Sequence, residues 1–224
     1  MSSVNLKRQK ELNAQMNEVM DDFDRFEYFF ATNWKKIVIA AVLVVVAVAV
    51  IVSVQALLES RRMAAAKAYD KALDITQLEA AIAKYGNAPG AVTMRLAALY
   101  IEKKDFANAR KQLELAAADK DAADVRCRAS LNLAYLDEME GKAADGAKRL
   151  ESIAKQLREP GTAAYAAEAY TSAGRLYLLC GKKAEAKAIL EAGRSFIQGL
   201  NAEQQQAAGG FTGMINALLA NTGK

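Results

Sequence analysis

The chain has no histidine among its 224 residues. That absence excludes histidine acid–base catalysis, Ser-His and Cys-His nucleophile pairs, and histidine-ligated metals in one step. Cysteine is nearly as scarce. Cys127 and Cys180 are the only two, and they form neither a CxxC motif nor a disulfide framework. Concentrated charge is missing too: Lys and Arg number 30 against 26 Asp and Glu, a net +4. In the first 36 residues six basic residues balance six acidic ones, so the excess is spread along the remainder. No basic stripe is interleaved with aromatics, which excludes a nucleic-acid footprint. With no nucleophile–base pair and no metal-ligand set, the sequence reads as a non-enzyme without catalytic, metal or cofactor residues.

What the chain does have is one long uncharged run, Ile37 to Leu58, in which Ser53 and Gln55 are the only polar members of 22 residues. As a helix it reaches about 33 Å, enough to cross a hydrocarbon core about 30 Å thick. Apolar core helices of soluble proteins stop sooner, at about 10–14 residues. A cleaved signal peptide fits poorly, because 36 residues precede the run and it exceeds the usual apolar region. The run reads as an uncleaved single-pass membrane anchor.

The flanks support that reading without orienting it. Apolar residues from Leu12 to Phe30 fall at helical spacing opposite an acidic face, which reads as an amphipathic helix. Phe29, Phe30 and Trp34 lead into Lys35-Lys36 and are expected at the membrane interface, where one end of a ring is dry and the other wet. Arg25, Lys35 and Lys36 stand before the run, and Arg61, Arg62, Lys67 and Lys71 after it. That balance selects no orientation. Beyond the run no breaker appears before Asp74, so its helix is expected to continue through Glu59–Leu73. Asp74-Ile-Thr-Gln77 has the form of a capping box. A short helix from Leu78 to Tyr85 should end at Gly86-Asn87, with Pro89 opening the next.

From there the chain repeats. Leu96-Ala97-x-x-Tyr100 is followed by Ala109-x-x-x-Leu113, Leu133-Ala134 by Gly146-x-x-x-Leu150, and Ala173-Gly174-x-x-Tyr177 by Ala186-x-x-x-Leu190. Each repeat reads as a helix, a turn (Lys103-Lys104-Asp105, Glu140-Gly141-Lys142, Gly181-Lys182-Lys183) and a second helix. Small residues on both helices allow close approach, and Leu and Tyr fill the surrounding gaps. This is the tetratricopeptide pattern, with Pro160-Gly161 in a lengthened turn. In this phase Cys127 and Cys180 lie about 20 Å apart along parallel helices, too far for a disulfide. After Arg194 a helix begins at Asn201, is expected to break at Gly209-Gly210 and resumes over Phe211–Leu219, a candidate solenoid cap with a polar outer face.

The Asp24–Phe30 segment, the single Val/Ala-rich span, Leu78–Asn87 before Leu96-Ala97, and the closing Met214–Leu218 together resemble one family, the ancillary subunit of the bacterial SecYEG translocon. The resemblance implies an all-α chain with a single N-terminal transmembrane helix and a tetratricopeptide-repeat solenoid. It implies a bacterial inner-membrane location, with residues 1–36 as cytoplasmic tail, 37–58 as the span, 59–90 as connecting helices, 91–200 as three repeats and 201–224 as the C-terminal cap, the domain being periplasmic. The implied partners are the translocon, a periplasmic peptidyl-prolyl isomerase or other envelope chaperone, nascent secreted polypeptides and membrane lipid. The implied role is handover of secreted proteins. A structural subunit of another envelope complex, with one fixed partner, is the alternative.

In tetratricopeptide arrays the first helix of each repeat lines a concave groove. That phase places Met94 and Ile101 in the groove from the first repeat, and Arg128, Leu131, Tyr135 and Met139 from the second. Arg175 and Leu178 come from the third. The surface is apolar and rich in Met, a side chain suited to varied clients. Two readings stay open at this point: an open groove, or a stripe filled by the C-terminal helix.

Overall fold

The structure is a computed structural model that describes residues 8–11, 22–86, 88–159 and 161–223. Among the described residues there is no strand. The expected amphipathic helix lies outside the described residues from Leu12 to Asp21. The chain divides into two compact parts, residues 1–64 and 65–224.

Helix α1, Asp22–Lys71, carries the apolar run. No Gly or Pro interrupts it, and its apolar side chains from Val38 to Leu58 have no tertiary partner, each standing about half exposed. Its polar members are satisfied locally: Ser53 Oγ donates to the Ala49 carbonyl at 2.7 Å, and Asn33 Nδ2 to the Phe29 carbonyl at 3.1 Å. A backbone bonded within its own segment and an apolar exterior are what a hydrocarbon solvent selects.

The second part begins with the end of α1, where Tyr69 and Ala72 are buried. Arg95 donates to the carbonyls of Tyr69 and Ala72, closing the helix end with a cation where the dipole is negative. Helices α2 (Ile75–Tyr85), α3 (Gly90–Glu102), α4 (Phe106–Ala117), α5 (Ala123–Met139), α6 (Ala143–Gln156), α7 (Ala163–Leu179), α8 (Lys183–Gln198) and α9 (Ala202–Thr222) follow. From α3 onward each helix packs on the next, and α3, α5, α7 and α9 also touch in series. The array therefore alternates, with first helices on one face and second helices on the other. Its core is two clusters that meet at α5, with Leu133 and Leu136 in the forward one and Leu131 and Ala134 in the rear one.

The repeat recurs in its turns. In all three, the amide of the residue after the turn bonds back across the helix end (Asp105 to Tyr100, Lys142 to Asp137, Lys182 to Tyr177, at 2.8–2.9 Å). A second bond sits inside each (Lys104 to Ile101, Gly141 to Glu138, Gly181 to Leu178, all 2.9 Å). These are Schellman ends, which need a left-handed residue after the cap. Gly141 and Gly181 supply it with φ of 81° and 73°, while the first repeat uses Lys104 at 61°.

Several local expectations are corrected. Asp74 does accept from the Gln77 amide at 2.8 Å, but Gln77 Oε1 accepts from Leu73 rather than from Asp74, one residue outside a capping box. Pro89 is the N-cap of α3 and not its first residue. Helix α9 runs unbroken through Gly209 and Gly210, because Ala208 and Ile215 are both fully buried and hold it on either side. Packing overrides the roughly 1 kcal/mol that each glycine costs in a helix.

Candidate protein-interaction groove

Close packing of small residues sets the spacing of the groove-lining helices. A Cβ on Gly174 would meet Leu190 Cδ2 at 2.4 Å, and one on Gly146 would meet the Ala134 carbonyl oxygen at 2.7 Å. The first helices α5 and α7 are thereby held at fixed depth against α6 and α8.

The face between α5 and α7 is crossed by ion pairs. Arg128 Nη1 donates to both carboxylate oxygens of Glu168 at 2.9 and 3.0 Å and lies over the Tyr165 ring at 5.1 Å. Tyr135 donates to Glu168 at 2.8 Å and sits 3.0 Å from Ser172 Oγ. Arg175 holds Glu138 in a two-pronged pair, 2.7 Å on each side. That pair keeps the Glu138 carboxyl below the usual range. Burial pushes the Tyr135 phenol up to about 12, with the Glu168 carboxylate adding to the rise. Both groove arginines are thus already paired with neighbouring carboxylates, Arg175 through both Nη atoms and Arg128 through Nη1, which disfavours a two-arginine fork for a carboxylate terminus.

The expected groove residues divide by accessibility. Leu131 is fully buried in the rear core cluster and offers no surface, a correction to its expected place in the groove. Met94, Ile101, Arg128, Tyr135 and Leu178 are half-buried, and Arg175 is exposed. Met139 stands 56% exposed, and its equivalent in the third repeat, Leu179, 65% exposed. These two lie at the turn end of adjacent first helices. Phe29, Phe30 and Trp34 are all exposed on α1, the Phe29 and Phe30 rings edge to face at 6.2 Å and Lys35 Nζ 5.8 Å from the Trp34 ring. Helix α9 packs on α7 and α8, with no comparable packing on α3 or α5.

Three polar contacts tie the repeats together, two of them through the motif tyrosines Tyr100 and Tyr177. Three residues beyond each small residue, the first helix bonds to the preceding second helix. Tyr100 donates to Glu79, Asp137 accepts from Arg110 Nη2 at 2.7 Å, and Tyr177 donates to Glu151 at 2.6 Å. Asp137 also accepts from Arg149 Nε at 2.8 Å, so one nearly buried carboxylate joins α4, α5 and α6. Burial alone would raise its pKa, but the two arginines outweigh it and hold the group below the usual range. The Tyr100 phenol is pushed up to about 12, first by its bond to Glu79 and then by burial. Among the described residues no buried side-chain nitrogen or oxygen lacks a partner, and no cluster of His, Cys, Asp or Glu could hold a metal. Cys127 and Cys180 are free thiols.

With turns, small-residue contacts and groove in place, the profile of the tetratricopeptide repeat-like domain matches residues 27–207. The chain belongs to the tetratricopeptide repeat-like domain family. No curated protein and no solved structure matches it. Helical repeat domains of this kind generally mediate protein–protein interaction, and the chain is a scaffold in that sense.

Proposed function

We propose that this tetratricopeptide protein is anchored in the bacterial inner membrane by Ile37–Leu58, with its repeat domain in the periplasm. There it binds polypeptides or chaperones beside the Sec translocon and aids handover of secreted chains. The observation that carries the membrane reading is the uncharged stretch of α1, whose apolar side chains have no partner within the protein. The translocon, the peptidyl-prolyl isomerase and the secreted clients rest on the family resemblance of the sequence. The groove reading is supported by Met139 and Leu179, exposed apolar side chains at equivalent positions beside arginines already engaged by carboxylates. Such a surface favours apolar segments over charged termini.

A photo-crosslinking residue placed at Met139 or Leu179 of the full chain in cells tests this. Labelling of many newly made secreted chains and of translocon components is the expected result. A single labelled protein would favour the assembly-subunit reading, and labelling confined to cytoplasmic proteins would overturn the topology. Protease added to spheroplasts should degrade the repeat domain and spare the N-terminal tail.

A further inference from the structure

Helix α9 occupies the place of a first helix in a fourth repeat. Ala208 corresponds to Ala129 and Ala169, and Ile215 to Leu136 and Leu176, and all six are fully buried. The small residue then recurs in step: Ala134, Gly174 and Gly213 each lie eleven residues past the first residue of their helices, Ala123, Ala163 and Ala202. In the second and third repeats that residue is pressed against a following second helix. The Ala134 carbonyl faces Gly146, and Gly174 faces Leu190. On α9 the same face is open: Gly213 and Gly209 have no atom within 4 Å of where a Cβ would stand. Among the described residues no helix follows α9.

The open face is unlike the outer faces of the other helices. Glu203 is the only charged residue of α9, and its exposed positions beyond Gln206 are Gly, Ala, Asn and Met214. A solvated cap would carry charge there. Each unpacked glycine weakens the helix with no return inside the protein.

We propose that this face is completed by α9 of a second copy of the chain, packed antiparallel across a two-fold axis at Gly213. A two-fold axis perpendicular to a helix necessarily sets the two copies antiparallel. That is the direction in which a second helix packs on its first within each repeat. Gly209 then meets Ala217 of the other copy, and Gly210 meets Asn216, so two backbones approach as closely as those of α5 and α6. A face without charge meets itself without repulsion, whereas a charged partner helix would find no counter-ion on it. The interface leaves the groove of α3, α5 and α7 free, so it stands or falls independently of what that groove binds.

The full chain in mild detergent is expected to run at twice its 24.2 kDa once bound detergent is subtracted in light scattering. Gly213→Glu, placed in open space, should keep helicity and melting temperature and raise the dimer dissociation constant at least tenfold. Gly213→Ala, which adds only a methyl group to the contact, should weaken the dimer less than Gly213→Glu does. In a chain with Cys127→Ala and Cys180→Ala, Gly213→Cys should oxidise to a disulfide-linked dimer, and Glu191→Cys on the exposed side of α8 should not. A monomeric wild-type chain overturns the proposal. So does a dimer that survives Gly213→Glu, which would belong to another surface, or capture of a different protein through position 213.

Discussion

At the scale of single residues, two positions report how tightly the repeats are specified. Lys104 is the only residue other than glycine with positive φ among those described, and it stands where the next repeats place Gly141 and Gly181. A left-handed non-glycine residue costs about 1–2 kcal/mol, part of which glycine returns as unfolded-state freedom. Lys104→Gly is therefore expected to stabilise the domain by about 0.5 kcal/mol in urea melts, and Gly141→Lys to destabilise it by about 1 kcal/mol. Asp137 reports the opposite situation, a nearly buried anion between two arginines. Its depressed pKa means that its stabilisation is complete above the unfolded value near 4 and is lost as pH falls through the lower folded value. Asp137→Asn should cost about 2 kcal/mol at neutral pH, discounted because Arg149 is half in water, and it should flatten the stability curve below about pH 4. An unchanged acid limb in that variant would show that other carboxylates govern it.

At the scale of helices, pairs are set by what a small residue faces. Gly174 faces the fully buried side chain of Leu190, which would have to shift but does not carry a backbone with it. Gly146 faces the backbone carbonyl of Ala134, which cannot move without separating α5 from α6. Alanine at 146 should thus cost more than alanine at 174. The expected loss is about 2–3 kcal/mol against about 1 kcal/mol, within the usual range for overpacking and read from denaturant midpoints. Equal effects would mean that α6 slides freely along α5.

Taken whole, the molecule is legible wherever a physical rule acts locally. The apolar run of α1, the turns at Gly141 and Gly181, and the small-residue contacts were all readable as composition and period, and they sufficed for the all-α repeat class. Helix α9 was misread at Gly209-Gly210 because propensity was weighed without the burial of Ala208 and Ile215 on either side. Leu131 was misplaced for a related reason: the repeat phase gives the helix face but not the depth at which neighbouring helices close over it. The pairing of Arg128 with Glu168 had a signal, since both stand six residues before their repeat's small residue and carry opposite charge. The Asp137 contact had none, because its partners sit on two different helices at unrelated positions.

The tyrosines and carboxylates that bind the repeats together also keep their protonation states fixed across neutrality. Glu138, Glu140, Glu151 and Asp137 are drawn below their ordinary range, while Tyr100 and Tyr135 are driven up to about 12. With no histidine in the chain, no side chain is left whose ordinary titration falls between about pH 5 and 8. The domain neither takes up nor releases protons from these groups as its surroundings drift across neutrality. A proton exchanged when a complex forms in that interval, visible as a calorimetric heat that changes with the buffer, is not one held by these tyrosines and carboxylates.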